Sequence, residues 1–185
     1  PRHDARTVGG GRAAAGKAEF RIQNSEFRII LSESQLVEAV ARDRAAGRSV
    51  AFANGCFDLL HVGHVRYLQA AAAEADRLIV AVNDDRSVAG LKGEGRPIQD
   101  AYARADVLAA LEAVDLVVVF EQDTPLELIQ RIRPKVLIKG GDYTRDSVVG
   151  ASIVEADGGE VVIVATLPGH STTSIAQRSA HGAKG

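Results

Sequence analysis

Cysteine occurs once in 185 residues, tryptophan not at all, and aromatic side chains make up only 4%. One cysteine cannot form an internal disulfide, which fits a reducing compartment, so a cytoplasmic location is expected. With no tryptophan and few other rings, a base-stacking platform for single-stranded nucleic acid is not expected. Long apolar runs are missing too: Ala70–Ala73 and Val114–Phe120 fall far short of a membrane span. No apolar stretch follows the early arginines, so nothing at the N-terminus reads as a signal peptide. The formal net charge of −2 gives no ground for non-specific binding to nucleic acid or membrane. What is present is ordinary for a globular protein, 46% hydrophobic and 25% charged residues. The length suits one α/β domain.

Charge is unevenly spread. Residues 1–30 carry a net +3 and the remainder −5. The stretch Gly9 to Gly16 is rich in Gly and Ala without periodicity, so residues 1–31 read as a flexible basic arm. Within it, Phe20-Arg21-Ile22 and Phe27-Arg28-Ile29 alternate as an added edge strand would. The main domain is placed at 32–180, with 181–185 as a tail. It opens on Ser32-Glu33-Ser34-Gln35, a capping-box pattern, followed by Leu36, Val37, Val40 and Ala41 at helical spacing; Gly47 stands where that helix would end. Strands are expected at 49–53, 77–82, 114–120, 135–139 and 160–166. Between and after them, helices are expected at 62–75, 100–112, from Thr124-Pro125 to Pro134, at 147–156, and from Ser171 to about Ser179. Strands nearly continuous in Val, Ile and Leu, alternating with helices, indicate an open parallel sheet covered on both faces. Ligands of such sheets bind beyond the carboxyl ends of the strands, here after Ala53, Val82, Lys139 and Thr166.

The first strand runs into Asn54-Gly55-Cys56-Phe57-Asp58-Leu59-Leu60-His61-Val62-Gly63-His64. Two histidines three apart at a helix start share one face, beside free backbone N–H groups that favour an anion. Imidazoles added there make a receptor for a phosphate that gains charge during reaction. Gly55 and Gly63 let a bulky phosphate group approach the backbone. Three other interpretations compete. A metal site lacks the i, i+4 partner and a completing cluster. Capping and packing would explain an arbitrary His-x-x-His. A dinucleotide fold would need Gly-x-Gly-x-x-Gly after this strand, which is absent, as is a Walker loop.

The pattern Gly55-x-Phe57-Asp58-x-x-His61-x-Gly63-His64 resembles the signature of the His-x-Gly-His nucleotidyltransferase superfamily. Within it the chain is most similar to the adenylyltransferases of ADP-heptose synthesis, which act on D-glycero-β-D-manno-heptose 1-phosphate. The similarity also rests on residues 91–97 (Leu-Lys-Gly-Glu-Gly-Arg-Pro), 111–115 (Leu-Glu-Ala-Val-Asp), 139–143 (Lys-Gly-Gly-Asp-Tyr) and Ser171-Thr172-Thr173, and extends from about Ser32 to Arg178. It implies a Rossmann-like sheet of about five strands. The implied reaction uses ATP with Mg²⁺ carried mainly by the phosphates, in a homodimer, with a separate sugar kinase elsewhere in the pathway.

By that resemblance His61, His64 and Lys92 are the catalytic candidates. Nucleotide contacts fall to Gly55, Cys56, Phe57, His61, Gly63, His64, Gly141, Asp142, Ser171, Thr172 and Thr173. Substrate contacts fall to Asp58, Asn83, Asp84, Lys92, Arg96 and Arg104. Lys92 and Arg96 are expected on a mobile Gly-rich loop, 90–96, able to close over phosphorylated substrates. Asp142 is divided between a substrate or Mg²⁺ contact and a turn cap, Asn83-Asp84-Asp85 between ribose or substrate contacts and a turn. Ser171-Thr172-Thr173 suits an anion site at a helix start; Arg178 stands further along that helix than related enzymes place a basic residue. Cys56 is expected to pack and offer its backbone, because no covalent nucleophile is needed. Two alternatives stay open: a cytidylyltransferase for glycerol 3-phosphate or a similar phospho-alcohol, and a nucleotide-binding regulatory domain without turnover.

Overall fold

The computed structural model describes residues 29–141 and 143–165. Six strands form one all-parallel sheet: β1 Ile29–Leu31, β2 Val50–Gly55, β3 Arg77–Asn83, β4 Leu116–Phe120, β5 Val136–Gly140 and β6 Glu160–Val164, in the order β1-β4-β3-β2-β5-β6. The order reverses at β2, which pairs with β3 on one side and β5 on the other. The crevice above the carboxyl ends of β2 and β5 is therefore the switch point where such sheets take ligands.

Alternation along the strands builds two cores. Phe52, Ile79, Ala81, Val118 and Leu137 face one way, against α1 (Glu33–Ala45), α5 (Leu126–Ile132) and α6 (Ala151–Ala156). Ala51, Ala53, Leu78, Val80, Val117 and Ile138 face the other, against α2 (Val62–Ala72) and α4 (Ala101–Ala109). Burial on both faces is why these strands carry few polar residues. The remaining helix, α3, spans Asp85–Lys92.

Several expectations change. The sheet has six strands where about five were expected, because Ile29–Leu31 pairs with Leu116–Val118 at the edge. Ile29–Leu31, which lie before the boundary placed at Ser32, thus belong to the sheet. The Gly-rich loop is shorter than expected: residues 90–92 close α3, and only from Gly93 does the chain leave the helix. Asp84 caps α3 by accepting from the Ser87 amide at 2.8 Å, so Asn83-Asp84-Asp85 starts a helix instead of a turn. Gly90 inside the helix hides it from propensity. The helix expected at 147–156 is divided into a 3₁₀ turn, Arg145–Ser147, and α6, because Gly150 takes a φ of +88°. Pro125 is the N-cap of α5 and not its first helical residue, so the helix starts at Leu126, one residue later than expected. The helix expected from Ser171 lies outside the described residues. The Ser32 capping box forms in full, and Gly47 follows α1 with a φ of +74°.

At the amino edge of the sheet, basic side chains close helix ends. Arg44 donates to the carbonyls of Ile132 and Arg133 at 2.8 and 3.0 Å, and Lys135 donates to that of Gly158. No helix among the described residues is long and apolar enough to cross a membrane.

Candidate active site

The signature turn leaves β2 and enters α2 with His61 at the N-cap, in extended conformation (φ −142°, ψ 170°). His64, one turn on, stacks on it: ring centroids are 3.9 Å apart and the planes 22° from parallel. Phe57 meets His64 edge-on at 5.3 Å. Phe57 itself has a φ of +46°, a left-handed conformation that the turn imposes. A side chain at Gly55 would lie 3.2 Å from the Phe57 ring, so glycine there keeps Phe57, and through it His64, in place.

Electrostatics follow from this crowding. Burial first, then His61 and Lys92, push the pKa of His64 down to about 4, against a weaker opposing hydrogen bond to the backbone at Leu59. The ring is neutral at pH 7. Burial raises the Cys56 thiol pKa, with Lys92, Arg104 and Lys139 pulling the other way. Cys56 is a thiol, not a thiolate, which accords with a packing role.

Gly55, Cys56, Phe57, His61, Gly63, His64, Asn83 and Lys92 line one cleft of about 560 Å³ over the switch point. Other expected contacts do not reach it. Asp58 is buried; it accepts from Arg96 Nε and, at 2.6 Å, from the Ile98 amide. Arg104 is 1% exposed, and it donates to the Cys56 carbonyl at 2.6 Å, the Gln99 carbonyl at 3.0 Å and Asp85 at 2.7 Å. Asp58, Arg96 and Arg104 thus brace the turn and its neighbouring loop, and none of the three is among the residues lining the cleft. Asp84 caps α3, and Asn83, though at the cleft, donates to Ser87 Oγ at 3.0 Å. Gly141 continues from β5 with a φ of +93°, outside the cleft lining. Asp142, Ser171, Thr172, Thr173 and Arg178 lie outside the described residues.

Sequence reasoning missed Asn54, Tyr67, Lys139 and Tyr143, which also line the cleft. Asn54 and Lys139 stand inside the strand ends, where side chains pass for sheet residues. Their signal was polarity at the end of an apolar strand. Tyr67 donates its hydroxyl to the Ile138 carbonyl at 3.2 Å, and burial raises its pKa. Among the described residues no three His, Cys, Asp or Glu side chains gather to hold a metal.

The bifunctional protein HldE of Rhodopseudomonas palustris is 59% identical over 158 residues, 85% of this chain and 32% of that protein. HldE of a Bradyrhizobium species is 53% identical over 176 residues, 91% of this chain and 36% of that protein. The chain thus spans about a third of the length of these curated relatives. The lipopolysaccharide core biosynthesis protein of Thermoplasma volcanium superposes with a TM-score of 0.54 at 26% identity, covering 65% of this chain and 98% of that one. Pantothenate synthetase of Thermus thermophilus shares the fold alone, with a TM-score of 0.54 at 18% identity over 76% of this chain and 62% of that one. The pattern defining the cytidylyltransferase-like family matches residues 52–178. With the histidine pair seated over the switch point of a parallel sheet, the chain belongs to that family of nucleotidyltransferases.

Proposed function

We propose that this chain transfers the AMP moiety of ATP to D-glycero-β-D-manno-heptose 1-phosphate, giving ADP-heptose and pyrophosphate. The observation that carries the chemistry is the stacked His61–His64 pair at the start of α2, with Lys92 near enough to act on His64. Support for the substrate pair comes from the motif resemblance and from the 59% identity to HldE.

In the proposed reaction a phosphate oxygen of the sugar attacks the α-phosphorus of ATP. A new P–O bond forms, the bond from the α-phosphorus to the bridging oxygen breaks, and pyrophosphate departs. The protein needs no nucleophile of its own, so catalysis rests on positioning and charge neutralisation. Backbone amides at the α2 N-terminus and the two imidazoles face the α- and β-phosphates. Lys92, exposed at the end of α3, supplies a full positive charge. Mg²⁺ enters the proposal as a counter-ion bound to the nucleotide phosphates. The described residues offer no protein-built cage for it, and no step is assigned to it. The sugar phosphate is supplied by a sugar kinase acting beforehand, and the transferase acts as a cytoplasmic homodimer.

The test is pyrophosphate release with ATP, CTP and GTP, each crossed with heptose 1-phosphate and glycerol 3-phosphate. Release with ATP and the heptose is expected to dominate. No release with that pair would refute the proposal, and release only with CTP would favour a cytidylyltransferase. A protein that binds nucleotide and turns over nothing would be a regulatory domain.

A further inference from the structure

Among the described residues, one partly buried cation of the sheet has no carboxylate beside it. Among the described residues, four Lys or Arg side chains are at least partly buried: Arg77, Arg96, Arg104 and Lys139. Arg77 faces Asp43 and Asp115, Arg96 faces Asp58, and Arg104 faces Asp85. Lys139 has no carboxylate partner among the described residues. Its Nζ donates to Asn54 Oδ1 at 3.1 Å and lies 5.1 Å from the centre of the Tyr143 ring, and both neighbours are neutral. An ammonium in such a place loses hydration without regaining a Coulomb partner. Burial lowers its pKa accordingly.

Position gives this arrangement a purpose. Lys139 is the penultimate residue of β5 and Asn54 the penultimate residue of β2, so their contact spans the switch-point crevice. The Cys56 thiol feels both Lys92 and Lys139, which brings two cations to the signature turn. Lys92 acts on His64, whereas Lys139 is not among the groups that shift it. Lys92 ends α3, and Lys139, on β5, lies against Tyr143; both line the cleft. A reaction between two phosphorylated substrates needs two such places.

We infer that Lys139, steadied by Asn54 and Tyr143, binds the phosphate of the acceptor substrate, a phosphate monoester. The acceptor's identity rests on the proposed nucleotidyl transfer, whereas the anion site rests on the placing of Lys139 between Asn54 and Tyr143 at the cleft. An arriving phosphate supplies a counter-charge that the described residues do not provide and gains a charge-assisted hydrogen bond.

Steady-state kinetics of Lys139→Met, with the full chain, test this. KM for heptose 1-phosphate is expected to rise about tenfold or more, the loss of one hydrogen bond to a charged group. KM for ATP is expected to stay within about twofold, because its phosphates face the histidine pair. Lys139→Arg keeps the charge and should retain most of the affinity; a loss as large as in Lys139→Met would indicate packing and count against the site. Calorimetric titration of heptose 1-phosphate without nucleotide separates the two claims. If the wild type turns over nothing, yet Lys139→Met binds the sugar phosphate about tenfold more weakly than wild type, the proposed function fails and the anion site stands. Equal affinity in the two proteins, absence of binding to both included, would overturn the site. So would a rise in KM for ATP as large as that for the sugar phosphate.

Discussion

His64 carries a tension between the free and the liganded site. Burial, His61 and Lys92 hold its pKa near 4 in the folded chain, while an unfolded chain would titrate near the ordinary value of about 6.5. Between those values the unfolded state binds more protons, so His64 makes folding stability fall as pH drops through this window. The urea midpoint of the wild type should therefore decline from about pH 6.5 towards 4, and that of His64→Gln should decline less. Parallel curves would show that the imidazole is not held neutral. A phosphate beside the ring would reverse the balance by favouring its charged form. The histidine pair was legible because a spacing of three at a helix start admits one geometry. The partners of Arg96 and Arg104 were not legible, because a cation aimed at a substrate and one aimed at a carboxylate or a backbone carbonyl of the protein look alike in sequence. Only the fold reveals that Arg104 donates to the Cys56 carbonyl and that Asp58 is shut away behind Arg96.

Between residues and fold, the loop from Gly93 to Gln99 is tied down twice. Asp58 holds Arg96 and the Ile98 amide, and Arg104 joins the Gln99 carbonyl to Cys56 and Asp85. These contacts link the signature turn to α3, whose last residue is Lys92. Asp58→Ala would leave a part-buried arginine and an amide without their partner, and should cost about 3 kcal/mol in denaturant unfolding. A loss under about 0.5 kcal/mol, typical of a neutral surface change, would show that the latch is incidental. The helix bearing Lys92 escaped the sequence because its polar start and internal glycine imitate a loop. The division of residues 147–156 was hidden in the same manner, since the extended Val148 and the left-handed Gly150 separate the 3₁₀ turn from α6 within three residues.

At the scale of the whole molecule, the parallel architecture was plain from strands such as Leu78–Val82, which are apolar throughout because both faces are covered. The sixth strand was only half legible: the alternation ending at Ile29 suggested an edge strand, but the strand described is Ile29–Leu31, whose three residues are apolar without alternation. Strand order lies beyond local patterns altogether. It is this order that brings Asn54 on β2 beside Lys139 on β5, 85 residues apart in the chain. The switch point gathers what composition conceals: a net charge of −2 overall, with His61, His64, Lys92 and Lys139 around one cleft. The role proposed for the histidine pair is to stabilise the transition state of adenylyl transfer more than it binds ATP. It is tested most directly by comparing wild type and His64→Ala for pyrophosphate release and for equilibrium ATP affinity. A fall in kcat/KM of about 10²–10³-fold, with Kd for ATP changed by less than about threefold, is the expected result. A loss of ATP affinity as large as the loss in kcat/KM, with kcat unchanged, would contradict it.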